Sequence, residues 1–219
     1  MNTIRSICVY CGSSPGRDES YVAAGRQLGR AIAESGITLV YGGGTKGIMG
    51  AVADSARRAG GKVTGIIPRF LMNKEATEAA LSELDELVVT ENMHQRKHTM
   101  FEKSDAFVAL PGGIGTVEEI VEIMTWGQLG HHRKPMVFAN IRDFWTPMLR
   151  LLDHMRTEGF IHSGHLVNPI VVEDAKAVVP AIVTAATASG EPNEGVDAHN
   201  REDVAAKAVV PLALEPAAR

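Results

Sequence analysis

Two short stretches gather the residue types that acid–base chemistry around an anion would need. Met93-His94-Gln95-Arg96-Lys97-His98 sets two adjacent permanent cations in what reads as the first turn of a helix. Pro111-Gly112-Gly113-Ile114-Gly115-Thr116 is followed at once by the carboxylates Glu118, Glu119 and Glu122. Cations at a helix start oppose the helix dipole, so Arg96 and Lys97 need an anion or a carboxylate to offset them. The glycines allow backbone N–H groups to approach an anion at the positive end of the following helix, and Thr116 adds a hydroxyl. Two blander readings compete. Thr116-x-x-Glu119 has the spacing of a capping box, which would use the carboxylate to close the helix, and a charge cluster such as 94–98 is often a solvated surface.

Other candidate centres are weaker. His94 and His98 have i, i+4 spacing without the glutamate of a zinc-protease helix, which argues against a metal. Cys8 and Cys11 form a C-x-x-C inside and at the end of an apolar run, where buried strand cysteines are expected rather than a redox pair or a zinc site. Gly42-Gly43-Gly44-Thr45-Lys46-Gly47 fits G-x-G-x-x-G between a strand and a helix, but the next strand closes on Ile66-Ile67-Pro68, with no carboxylate to hold a dinucleotide ribose. Neither glycine turn contains the Gly-Lys-Ser/Thr of a triphosphate loop, so a bound monophosphate suits the sequence better. No cofactor is expected.

The elements that must carry these groups alternate along the chain. Strands are expected at Ser6–Tyr10, Ile37–Tyr41, Val63–Ile67, Glu86–Val89, Ala106–Leu110, Met136–Ala139 and Val167–Val172. Helices are expected at Tyr21–Ala33, Ile48–Ala59, Met93–Lys103, Gly115–Gly130, Phe144–Arg156 and Ala175–Ala188, with a short one between Asn73 and Asp85. Near-continuous apolar strands separated by helices imply an α/β fold: a mostly parallel sheet covered by helices on both faces. Ligands then belong at the carboxyl ends of the strands.

The bulk numbers agree with one folded unit. The chain has 219 residues, 45% hydrophobic and 22% charged, and a formal charge of −4. That gives no basic field for nucleic acid and no polybasic run for a membrane surface. The opening apolar run is too short for a signal peptide, no later stretch would span a bilayer, and a cytoplasmic protein is expected. Residues 1–188 are expected to form the catalytic domain. The Gly-, Pro- and acid-rich stretch from Ser189 to Arg219 is expected to be a flexible extension, unless Val209–Leu214 packs on a neighbouring subunit.

At its functional stretches the sequence resembles the Lonely Guy family, the cytokinin riboside 5'-monophosphate phosphoribohydrolases often labelled lysine decarboxylases. The resemblance runs from about Ile4 to Ala188. It rests on Cys11-Gly12-Ser13-Ser14, Tyr41-Gly42-Gly43-Gly44, Met93-His94-Gln95-Arg96-Lys97, Pro111 to Glu119, and Thr125-Trp126-Gly127-Gln128-Leu129-Gly130. It implies hydrolysis of the N-glycosidic bond of a nucleoside 5'-monophosphate, with Glu119 as the catalytic carboxylate, Arg96 as its partner and Lys97 at the site. It implies phosphate contacts at Gly113, Gly115 and Thr116, with Ile114, Val117 and Glu118 from the same motif. Further substrate contacts are implied at Glu75, Met93 and Thr125, and at Ser14, Gly43, Gly44 and Thr45 on the two earlier loops. The resemblance also implies a Rossmann-like fold and a homodimer; the apolar face around Met124 and Trp126 offers an interface unless it is core. The stretch from Glu75 to Met93 is a few residues longer than in many members. No lysine stands in a recognisable Schiff-base context, so the decarboxylase label lacks chemical support. The alternative reading is a nucleotide or phosphorylated-cofactor binding protein of related fold that hydrolyses nothing.

Overall fold

The computed structural model describes residues 3–161 and 169–188. Seven strands form one sheet in the order β4-β3-β2-β1-β5-β6-β7. They are β1 (Ser6–Tyr10), β2 (Thr38–Tyr41), β3 (Val63–Pro68), β4 (Glu86–Thr90), β5 (Ala106–Ala109), β6 (Met136–Ala139) and β7 (Ile170–Val172). All six neighbouring pairs are parallel. Between them run α1 (Glu19–Glu34), α2 (Gly47–Arg58), the short α3 (Met72–Glu75) and α4 (Glu78–Leu81), α5 (Met93–Glu102), α6 (Ile114–Gln128), α7 (Thr146–Thr157) and α8 (Val178–Ala188).

Side chains alternate across the strands, so each face builds its own core. Ile7, Val9, Leu39, Tyr41, Val108 and Val137 pack with α1, α2 and α8. Cys8, Tyr10, Val40, Ile66, Phe107 and Phe138 pack with α5, α6 and α7. Burial on both faces is why these strands read as unbroken apolar runs. Cys8 and Cys11 are free and buried, as expected of strand cysteines, and burial pushes both thiols far above their usual range.

Several boundaries move. β7 is described only from Ile170; Val167 and Asn168, expected as its start, lie outside the described residues, as does the whole of 189–219. The helix expected from Phe144 starts at Thr146, behind a 3-10 turn over Ile141–Asp143. The helix expected from Ala175 likewise begins as a 3-10 turn and becomes α8 at Val178.

The chain leaves β1 toward β2 on one side, while β5 pairs with β1 on the other. That reversal opens a crevice at the carboxyl ends of β1 and β5, the position where sheets of this kind hold ligands. Gly12 ties the loops there together: its N–H donates to Pro111 O at 3.0 Å, and its carbonyl accepts from Met49 N at 3.1 Å.

Candidate active site

Helix α5 is started by its own side chains. Asn92 accepts from Gln95 N at 2.9 Å, and the Gln95 amide oxygen accepts in turn from Glu91 N at 3.0 Å. This reciprocal cap fixes the helix phase and turns Arg96 inward, where it is only 5% exposed. Its guanidinium donates to Ile66 O at 3.2 Å and to Gly42 O at 3.4 Å, at the carboxyl ends of β3 and β2. An added Cβ at Gly42 would lie 2.1 Å from Arg96 Nη2, so any larger residue there would push the guanidinium out of this position.

Helix α6 decides what Glu119 does. The helix begins at Ile114 with Gly113 as its N-cap and no capping side chain, so Thr116 is the third helical residue and cannot be the cap. The capping-box reading therefore fails. Glu119 lies in the second turn, faces inward at 9% exposure, and meets Arg96 Nη1 at 3.3 Å. Since β1 lies between β2 and β5, this pair bridges the carboxyl end of the central strand. A second link runs beside it: Lys97 is paired with Glu118 and, at 3.1 Å, with Glu122. Both cations that the α5 dipole disfavours are thus offset by carboxylates of α6.

Lys97 also bears on the decarboxylase label. Burial pulls its pKa down, but the hydrogen bonds to Glu118 and Glu122 outweigh that and raise it overall. A lysine that forms a Schiff base must shed its proton, and Lys97 is held in the opposite state.

The two glycine turns differ in what they leave open. At α2, Met49 N is taken by Gly12 O, Gly44 N points to Met49 Sδ at 3.2 Å, and an added Cβ at Gly47 would lie 2.5 Å from the backbone of Ser13 and Ser14. The chain itself closes that helix end. At α6, Val117 N makes the first intrahelical bond, to Gly113 O, which leaves the N–H groups of Ile114, Gly115 and Thr116 ahead of it. Gly113, Ile114 and Gly115 are exposed, and an added Cβ at Gly113 or Gly115 would meet nothing within 4 Å. Gly112 is different: a Cβ there would strike the Thr116 hydroxyl. The α6 end therefore offers unused N–H groups, open space and a buried hydroxyl beside them, the arrangement that holds a phosphate.

The remaining expected residues fall in several places. Met93 Sδ lies 3.9 Å from Arg96 Nη1, next to the ion pair. Ser14 is exposed on the loop after β1, Gly43 and Gly44 are buried in the loop between β2 and α2, and Thr45 is half-buried. Glu75 closes α3, and its side chain lies outside the described set. Thr125 is not brought to the turn 112–116 within one chain. It is exposed, bonds back to Val121 O at 2.8 Å, and stands about 13 Å along the helix axis from Thr116. Met124 is core, at 3% exposed, whereas Trp126 is half-buried and packs edge-on against Phe101 at 4.9 Å. The exposed apolar residues of α6 are Ile114, Val121 and Leu129 just beyond it. Sequence reasoning missed Gly42 and Ile66 as the carbonyls that pin Arg96; only the run of glycines hinted that something approaches there.

Among the described residues no group of three or more His, Cys, Asp or Glu could hold a metal ion, and no helix is long and apolar enough to cross a membrane.

Residues 49–182 match the family model described as "Possible lysine decarboxylase". The chain is 44% identical over 180 residues to the cytokinin riboside 5'-monophosphate phosphoribohydrolase of Rhodococcoides fascians, covering 82% of this chain and 90% of that protein. It is 43% identical over 181 residues to the enzyme LOG of Oryza sativa subsp. japonica, which bears the same name, covering 83% and 69%. In fold it is similar to the molybdenum cofactor carrier protein of Chlamydomonas reinhardtii, with a TM-score of 0.62 at 21% identity over 84% of this chain and 99% of that one. The molybdenum cofactor binding protein of Rippkaea orientalis gives 0.61 at 19% identity, over 84% and 98%.

Proposed function

The chain belongs to the Lonely Guy family of cytokinin riboside 5'-monophosphate phosphoribohydrolases, and from that membership we propose that it hydrolyses N6-substituted or plain adenosine 5'-monophosphate to free base and ribose 5-phosphate. The observation that carries this reading is the buried Arg96–Glu119 pair beside an open α6 N-terminus. One element binds the phosphate, and the other supplies charge where the sugar needs it.

In the proposed reaction the C1'–N9 bond breaks and its electron pair leaves with the base. The ribose gains oxocarbenium character, which the Glu119 carboxylate stabilises electrostatically. Water then bonds to C1'. One of its protons stays as the new C1' hydroxyl; the other passes through Glu119 to the solvent pool that protonates the departing base. Arg96, paired with Glu119 at 3.3 Å, keeps that carboxylate aligned and holds the ribose hydroxyls. Gly113, Gly115 and Thr116 anchor the 5'-phosphate, so that binding remote from the bond contributes orientation.

A homodimer is part of the same proposal. Ile114 (85% exposed) and Leu129 (67%) flank Val121 on α6, and Phe160 (79%) follows α7. Large exposed apolar side chains of this kind mark association surfaces. Thr125 lies on the exposed side of α6 with Val121, so a second copy seated there would bring it toward the partner's substrate.

The test is incubation with AMP and with isopentenyl-AMP while following ribose 5-phosphate. Its accumulation with free base is expected; tight binding of both nucleotides without product would favour the binding-protein reading.

A further inference from the structure

The opposite end of the sheet carries a charged feature that this chemistry does not use. A cavity of about 730 Å3 opens at the amino-terminal ends of β1, β5 and β6, lined by Arg5, His131, His132, Arg133, Lys134 and Ala186 among others. Its carboxylate, Asp105, is already engaged, accepting from Arg5 N at 2.8 Å and from Ser6 N and Oγ at 3.1 Å each. Lys134 donates to Phe101 O at 2.8 Å and sits 3.9 Å from that ring's centroid, and His132 is held at 2.9 Å from Ile123 O. The charge of Glu102 also reaches Lys134. Among the described residues, the side chains of Arg5, His131 and Arg133 form no ion pair, and Arg5, His131 and Arg133 are exposed.

The chain supplies a partner of opposite charge at close range. Helix α8 ends at Ala188, two residues past Ala186 in the cavity wall. The segment 189–203 then carries Glu191, Glu194, Asp197, Glu202 and Asp203 against the single Arg201. We propose that this acidic segment docks in the basic cavity, with its carboxylates on Arg5, Arg133 and His131. Three facts favour it over a free ligand. The tether gives the segment an effective concentration on the order of millimolar without needing a tight site. The segment's Gly-, Pro- and acid-rich composition cannot bury a core of its own. The cations it would meet, Arg5 and Arg133, are exposed and lack carboxylate partners among the described residues. The cavity lies at the other end of the strands from Glu119, so docking covers surface without altering the reaction.

The experiment is hydrogen exchange by mass spectrometry on the full chain and two full-length variants. One neutralises the segment (Glu191→Gln, Glu194→Gln, Asp197→Asn, Glu202→Gln, Asp203→Asn); the other neutralises the wall (Arg5→Gln, Arg133→Gln). At 50 mM salt the amides of 131–134 and 189–203 are expected to exchange about threefold or more slower in the native chain than in either variant. The difference should vanish at about 500 mM salt, where exposed charges are screened, and AMP hydrolysis should be equal in all three. Equal exchange in the native chain and the segment variant at low salt would overturn the proposal. So would tripolyphosphate that binds both chains with the same affinity, because a docked segment must compete with it.

Discussion

Arg96 and Glu119 meet at 3.3 Å, on different helices, with both side chains almost wholly buried at the carboxyl end of the central strand. The position of each is fixed separately, Arg96 by two backbone carbonyls and Glu119 by the start of α6 at Ile114. A buried pair of this kind is weak as a stabiliser but costly to break, since removing one partner strands the other charge.

Arg96→Ala is therefore expected to destabilise the fold by roughly 3–5 kcal/mol. At about 2–4 °C per kcal/mol for a domain of this size, the melting temperature should fall by roughly 6–20 °C. The double variant Arg96→Met, Glu119→Leu should recover most of that while remaining inactive. Thermal unfolding of the three proteins checks it; a single variant that melts with the native chain would show that the pair is not buried as described.

Two glycine substitutions should separate packing from binding. In Gly42→Ala the new methyl falls on the Arg96 Nη2, so a loss of roughly 1–3 kcal/mol is expected together with most of the activity. In Gly115→Ala the methyl meets nothing, and alanine's helix propensity should hold or raise stability by up to about 1 kcal/mol. Its effect should appear in KM for AMP, raised about tenfold or more by crowding the phosphate. Unchanged KM in the folded Gly115→Ala enzyme would remove the phosphate from this turn.

Burial raises the pKa of both cysteines and leaves them without access. At pH 7.5 the native chain should resist dithionitrobenzoate, and two thiols per chain should react at once in guanidinium. Rapid labelling of the native protein would reopen a redox reading of Cys8 and Cys11.

Lys97 predicts an alkaline effect. Its folded pKa lies above the ordinary 10.5, because bonding to Glu118 and Glu122 outweighs burial. A raised pKa means that the folded state favours the proton, so the stabilisation is complete below 10.5 and is lost as pH climbs through the folded value. Urea unfolding of the native chain and Lys97→Met should differ by a constant amount from pH 7 to 10 and converge above that. Convergence below pH 9 would contradict the raised value.

Much of this was legible in the residues because the physics that places them is local. Strands such as Cys8–Tyr10 and Phe107–Ala109 are covered on both faces, and only unbroken apolar runs satisfy that. Arg96 and Lys97 stood out because cations at a helix start need an anion or a carboxylate, but that Glu119 is the partner of Arg96 came from the family motif, since Glu91 and Glu102 lie nearer in the sequence. What stayed hidden depends on backbone groups and helix phase. The carbonyls of Gly42 and Ile66 leave no mark of their own in a sequence. The apolar character of α6 runs nearly all round, so its pattern could not tell buried Met124 from exposed Val121. Thr116 and Glu119 had the right spacing for a cap, and only the observed helix start excluded it.

In the proposed reaction the Glu119 carboxylate acts on the sugar while other groups hold the nucleotide. The direct measurement is Glu119→Gln, which keeps shape and removes charge, assayed for AMP affinity by calorimetry and for base release in single turnover. The expected result is affinity within about threefold of the native chain and a rate lower by roughly 10²–10⁴, the range for loss of a positioned acid–base group. Base release at the native rate by a variant that still binds AMP would contradict a catalytic role for Glu119.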